Sequence, residues 1–249
     1  MPIGRSKNKS DIYPANRNRL VSALSLEDQE FFLSKSTRIE LCLGEILVEP
    51  GDIIDFCYFP TKGVISLVTL MTSGAGAEIG IVGSEGMFGL NVLLENPITP
   101  HQALVQGPGA ALRIAPADLM KLCDQSEDAK QLLFAYMSTF ITLISQCAAC
   151  NVLHNAEARL ARWILLVQDR MNGDALPITH EFLANMLGIR RATVTVVANV
   201  LEKEGLISLG RRDIRVLDRE RLLRVSCECY KTMSDATQRD LRLPELLKD

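Results

Sequence analysis

The stretch Ile178–Arg215, ITHEFLANMLGIRRATVTVVANVLEKEGLISLGRRDIR, constrains this chain more than any other. Thr179 is a helix cap, because its hydroxyl accepts from backbone N–H groups left free in a first turn. Phe182, Leu183, Met186 and Leu187 then lie on one face at helical spacing. Gly188 follows, suited to the left-handed conformation that ends a helix before a sharp turn. A second apolar stripe runs Val194, Val197, Ala198, Leu201. Ala184, Gly188 and Val194 are spaced for two helices crossing closely over a tight turn. Leu206–Leu209, Gly210-Arg211-Arg212-Asp213 and Ile214–Val216 then read as strand, turn, strand. The pattern predicts a winged helix-turn-helix, whose second helix would enter a DNA major groove with Arg190 and Arg191 at its leading end.

The rest of the chain is compatible with this. Composition is globular, 47% hydrophobic and 23% charged over 249 residues. The net charge of −3 does not advertise a nucleic-acid binder, but its distribution is uneven. Residues 1–155 carry 11 Lys+Arg against 16 Asp+Glu, whereas residues 156–249 carry 16 against 14. No unbroken apolar run approaches the roughly 18 residues that span a bilayer, and no apolar segment follows the basic start. With seven cysteines in no spaced framework, a reducing cytoplasm is the expected setting, with no membrane partner.

Read in order, residues 1–24 are expected to form a flexible arm. Residues 25–125 begin with a short helix capped by Ser25 and continue as short strands with glycine punctuation, as in a sandwich or barrel. Residues 126–153 form a long helix with two apolar faces. Leu133, Met137, Phe140, Ile144, Cys147 and Asn151 follow the coiled-coil alternation of four and three. Leu132, Tyr136, Thr139, Leu143 and Gln146 form the neighbouring face. The first face is expected to pair with a second copy of the chain. Residues 154–235 hold a helix from Ala156 to Met171, ended by Asn172-Gly173-Asp174, then the winged unit and a last helix from Arg219 to about Met233, capped by Asp218. Residues 236–249 are a tail. The fold class is α+β: an N-terminal double-stranded β-roll, jelly-roll-like, then the long dimerisation helix, then the winged helix-turn-helix.

This order resembles the Crp–Fnr family of bacterial transcription regulators over roughly residues 25–217. The resemblance is sharpest in LGIRRATVTVVANVLEKEGLI. In the β-roll it rests on Gly44, Pro50-Gly51-Asp52, Gly63 and Gly83-x-x-Gly86-x-x-Gly89. It implies a homodimer pairing through the long helix, a two-fold symmetric double-stranded DNA operator, and contact with RNA polymerase. The catabolite activator branch presents Arg-Glu-Thr-x-x-Arg, where this chain has Arg191-Ala192-Thr193-Val194-Thr195-Val196. Arg191 keeps the bidentate grip on guanine. Ala192 and Val196 replace the polar readers with groups suited to thymine methyls, so a different operator is expected. Thr179, His180, Arg190, Thr193, Thr195, Arg211 and Arg212 are the candidate phosphate or flanking contacts.

The cyclic-nucleotide branch uses Phe-Gly-Glu and a later Arg-Ser or Arg-Thr. Here Phe88-Gly89 precedes Leu90, and Pro100-His101-Gln102-Ala103 contains no arginine. A buried phosphate without a cation is costly, so cAMP is not the expected effector. Any cofactor is left unknown. Glu85, Phe88, His101 and Gln102, with Ser145 on the long helix, are the least specific pocket candidates. The cysteine cluster of the iron–sulfur branch has no counterpart, since residues 1–41 lack cysteine. Cys147-x-x-Cys150 reads as core packing, and Cys227-x-Cys229 as pointing to different sides of one helix, so no metal site is expected. Cys147 on a dimer seam could meet its twin in a disulfide. Catalysis is not expected: His101, His154 and His180 are far apart in sequence, with no Ser-His-Asp arrangement or phosphate-cradling loop. The alternatives are a ligand-binding regulatory subunit and a cupin-like metalloenzyme.

Overall fold

The computed structural model describes residues 18–171 and 175–240. The arm to residue 17, the Asn172-Gly173-Asp174 helix end and the tail from residue 241 lie outside the described residues. The first correction is at the arm. Residues 19–23 form a helix, α1 (Arg19–Ala23), with Leu20 and Val21 buried. Asn18 caps it and is itself buried, donating from Nδ2 to the carbonyls of Pro60 and Gly86. A buried amide with three partners fixes this segment to the domain that follows.

That domain opens with α2 (Leu26–Lys35), capped by Ser25. Its strands are β1 (Thr37–Leu41), β2 (Ile46–Val48), β3 (Cys57–Leu70), β4 (Gly76–Val82) and β5 (Gln102–Ile114). All pair antiparallel in the order β1-β5-β3-β4, and β2 also pairs with β5. Two strands are longer than the short, glycine-punctuated strands expected. Gly63 and Gly107 lie within β3 and β5, which run through as strands of 14 and 13 residues. At Gly63, with φ 93°, a Cβ would sit 2.5 Å from the Gly107 carbonyl oxygen. These glycines permit a close, bulged crossing of two continuous strands. Phe32 of α2 closes the sheet, edge-on to Phe59 at 4.8 Å.

Helix α3 (Pro116–Gln125) leads to α4 (Glu127–Leu153), capped by Ser126. By length and composition α4 could cross a membrane, which corrects the expectation that nothing in the chain could. Its apolar residues are interrupted by Ser, Thr and Gln rather than by charges, so they form no unbroken run. Here α4 packs against α3, β4 and the last helix. The face expected to form the dimer seam packs within the chain instead. Leu133, Phe140 and Cys147 are buried within the chain, and Met137, Ile144 and Asn151 are half-buried. The neighbouring face is buried too, through Leu132, Tyr136, Thr139 and Leu143. A third face is free: Phe134, Ser138, Ile141, Ser145, Ala148 and Val152 are all exposed.

The C-terminal unit is built on α5 (Ala156–Met171). It holds α6 (His180–Leu187), α7 (Arg191–Lys203) and a small sheet of β6 (Ala175–Leu176), β7 (Ile207–Leu209) and β8 (Ile214–Val216) in the order β6-β8-β7. The expected single last helix is two. α8 (Arg219–Val225), capped by Asp218, ends before Ser226-Cys227-Glu228, and α9 (Cys229–Asp240) runs past the expected boundary at 235. The break lets α9 turn back onto α4 and α5.

Candidate nucleic-acid interface

Thr179 caps α6, its hydroxyl accepting from Phe182 N–H at 3.2 Å. Gly188 ends α6 at φ 61°, and its N–H returns to the carbonyls of Ala184 and Asn185. The turn is therefore made by backbone that glycine alone adopts cheaply. Arg159 of α5 donates to the Leu187 carbonyl, placing a cation at the C-terminal end of α6. α7 starts immediately afterwards, with Arg190 as its cap residue. Its inner stripe of Val194, Ala198 and Leu201 is buried, and α5 packs against both α7 and α8.

The outer edge of α7 carries Arg191, Ala192, Thr193, Val196 and Asn199, all exposed, and Arg190 is exposed beside them. Val196 is 62% exposed, a β-branched apolar side chain that none of the described residues covers. Arg211 and Arg212 are exposed on the turn between β7 and β8, which is closed by Gly210 N–H donating to the Asp213 carbonyl at 2.8 Å. Arg190, Arg191, Arg211 and Arg212 make no ion pair among the described residues. Arg215 and Arg219, in contrast, are held by Asp213 and Asp169.

Three expected contacts have partners inside the protein. Thr179 is occupied as a cap. Thr195 is half-buried and donates to the Arg191 carbonyl, and its hydroxyl lies 3.2 Å from His180 Nδ1. His180 and Thr195 thus fasten α6 to α7. Asn199, outside the expected set, is exposed on the same edge. Its signal is the spacing of seven from Ala192, which puts both on one helix edge with Val196 between.

The expected effector residues do not converge. Phe88 is buried and pairs with Tyr58 near the start of β3, whereas His101 meets Thr69 near its end. Gln102 donates to Glu49, and Ser145 lies on the exposed face of α4 with its hydroxyl bonded to the Ile141 carbonyl. Glu85 is a pin between domains: its Oε1 accepts from Arg170 Nε of α5 at 2.7 Å and from Gly83 N–H at 3.1 Å, with both side chains buried. A second pin lies on β4, where Glu78 accepts from Trp163 Nε1–H at 2.9 Å and from Ser66 Oγ–H at 2.7 Å. Burial pushes the Glu78 carboxyl up from its ordinary 4.5 to about 7, against the opposing pull of Ser66, Arg162, Trp163 and Arg170. α6 also packs on β4, so the first helix of the output unit touches the strand that carries this carboxyl.

Cys147 is buried, with Arg162 Nη2 and the Glu78 carbonyl near its sulfur. The disulfide with its twin expected from a dimer seam has no geometric basis there. Burial pushes its thiol up.

A β-roll joined through a long helix to a winged helix-turn-helix defines a class: a DNA-binding regulator with an N-terminal sensor-type domain. Two family models match the chain, "Cyclic nucleotide-binding domain" over residues 38–126 and "Crp-like helix-turn-helix domain" over residues 158–225. The chain is similar to the transcriptional regulatory protein Btr of Bordetella pertussis, 26% identical over 192 residues, covering 73% of this chain and 77% of Btr. Among solved structures it resembles FixK2 of Bradyrhizobium japonicum, with a TM-score of 0.66, 17% identity, and coverage of 77% of this chain and 98% of FixK2. A Crp/Fnr-family protein from Eubacterium rectale matches with a TM-score of 0.65 at 18% identity, covering 83% and 96%. The chain belongs to the Crp–Fnr family of transcription regulators.

Proposed function

We propose that the chain regulates transcription as a cytoplasmic homodimer that reads a two-fold symmetric DNA operator with α7. The observation that carries this is the edge of α7: arginines that make no ion pair among the described residues beside an exposed Val196, on a helix whose other face is fixed to α5. Arg191 grips guanine O6 and N7, and Ala192 and Val196 contact thymine methyls. Arg190, Thr193, Asn199 and the wing arginines Arg211 and Arg212 meet phosphates or flanking bases. Thr179, His180 and Thr195 hold the turn.

The dimer forms along the free face of α4. Phe134, Ser138, Ile141, Ser145, Ala148 and Val152 repeat at intervals of four and three, the spacing of a two-stranded coiled coil. Ile141 is 58% and Val152 83% exposed, which a helix seam between two copies would cover. Small Ser138, Ser145 and Ala148 allow close approach. RNA polymerase is the further protein partner implied by the family. Catalysis forms no part of this reading.

cAMP is not the effector, because Leu90 stands where the ribose-binding glutamate would follow Phe88-Gly89, and Pro100-His101-Gln102-Ala103 lacks the phosphate-binding arginine. Selection of bound duplexes from a random pool tests the proposal. It should return two half-sites about 10–10.5 base pairs apart, or a multiple of that. Recovery of unrelated duplexes, or of a single half-site, would count against it.

A further inference from the structure

Four side chains outside the DNA-facing unit converge where the long helix ends. Cys150 is on the last turn of α4, His154 is its C-cap, Cys227 lies in the α8–α9 link, and Cys229 opens α9. Their ligand atoms all lie within 4.8 Å of one another. Cys150 Sγ is 3.5 Å from Cys227 Sγ, and Cys229 Sγ is 3.5 Å from His154 Nδ1. The three cysteines are buried and form a cluster apart from the main core.

We propose that Cys150, His154, Cys227 and Cys229 bind one thiophilic divalent ion in tetrahedral geometry, zinc being the ion of that chemistry. Zinc–sulfur bonds of about 2.3 Å and zinc–nitrogen bonds of about 2.0–2.1 Å give tetrahedral edges of roughly 3.5–3.8 Å. The Cys150–Cys227 and Cys229–His154 pairs fall at the lower end of that range, and the remaining pairs lie within 4.8 Å. An iron–sulfur cluster spreads its ligands over two or more irons and needs those on different irons further apart than one shared ion does.

The surroundings fit the same ion. His154 Nε2 lies 3.3 Å from Glu228 Oε2, so the imidazole can donate its outer N–H to a carboxylate and direct Nδ1 at the thiols. That arrangement orients a metal-bound histidine and raises its basicity. Gln146 Nε2–H donates to Cys229 Sγ at 3.1 Å, a bond that favours a thiolate. Three thiolates and one divalent cation leave a net charge of −1. Buried Arg162 makes no ion pair among the described residues, and its guanidinium nitrogens meet sulfur at Met233 and Cys147. An anionic site close by would compensate a cation that is otherwise costly to bury.

The ion would tie residues 77 positions apart, Cys150 and Cys227, and so fasten α9 to the joint between α4 and α5. The site stands apart from the DNA reading, and its test does not use DNA. Full-length protein freed of metal by chelation would be titrated with Co²⁺ alone and then with Zn²⁺. The expected result is one Co²⁺ per chain, with the visible bands of tetrahedral cobalt and thiolate-to-cobalt charge transfer, displaced by one equivalent of Zn²⁺. Cys227→Ser and Cys229→Ser should abolish the bands. Cys42→Ser, at an exposed thiol, should leave them intact. Glu228→Gln, at an exposed residue that need not disturb folding, should weaken Zn²⁺ binding by about 10–100-fold. Should the cysteine variants fail to fold, the Glu228→Gln result decides. Wild-type protein with native circular dichroism but no cobalt bands would overturn the proposal. So would equal binding by wild type and Glu228→Gln, loss of the bands in Cys42→Ser, or stoichiometric iron with sulfide.

Discussion

Glu78 sits between the sensor-type domain and the output unit, and its protonation is open to a direct test. Below pH 4.5 its carboxyl is neutral in both the folded and the unfolded chain. Between 4.5 and about 7 the unfolded chain ionises while buried Glu78 keeps its proton, so the folded state is favoured less as pH rises through 7. Trp163 is the only tryptophan and donates to Glu78 Oε1. Its fluorescence should titrate with a midpoint near 7, and Glu78→Gln should abolish that titration and flatten stability across the same window. An unchanged titration in the variant would assign it elsewhere. The neighbouring pin is a paired charge. Glu85→Ala leaves buried Arg170 without its carboxylate and should cost about 3–5 kcal/mol in chemical denaturation. A loss under about 1 kcal/mol, the range of an exposed pair, would contradict the burial.

At the scale of elements, α4 is the helix that sequence alone left hardest to read. Its apolar residues cover three faces, and a period of 3.5 fits more than one of them. Which face remains free depends on β4, α3 and α9 packing onto the other two, and that information lies far away along the chain. The same reason hid the cysteine–histidine cluster: Cys150 and His154 share a helix face at a spacing of four, but Cys227 and Cys229 arrive only because the last helix breaks in two. Local signals were legible. Ser25, Thr179 and Asp218 cap the helices expected of them, because a cap is decided within four residues. Gly188 ends α6 as expected. The strands were expected to be short, because a glycine that allows two strands to cross closely, as Gly63 and Gly107 do, looks in sequence like one that ends them. The α4 assignment has its own test. Ile141→Glu puts a charge on the free face and should convert the protein to monomer in sedimentation without lowering its melting temperature. A persistent dimer would show that the seam lies elsewhere.

Across the whole molecule, the sensor-type domain and the output unit are joined by buried polar contacts rather than by one linker. Glu78 with Trp163, Glu85 with Arg170, and α6 on β4 all span the junction. A change in the β-roll thus has a physical route to α6. The outer surface of the output unit, by contrast, is free and cationic at the leading end of α7 and at the wing. Phosphate contacts fix register without reading sequence, so Arg211→Ala and Arg212→Ala should each reduce the salt dependence of DNA affinity by about one unit of slope, equally on all operators. A change in base preference instead would give the wing a reading role.

The central claim, that α7 reads bases through Arg191, is tested most directly by measuring Arg191→Ala against the selected operator and each of its single-base variants at fixed salt. The expected result is a loss of about 1–3 kcal/mol on the best operator, with discrimination flattened at one base position per half-site and retained at the others. Binding by Arg191→Ala as tight and as selective as that of the wild type would contradict it.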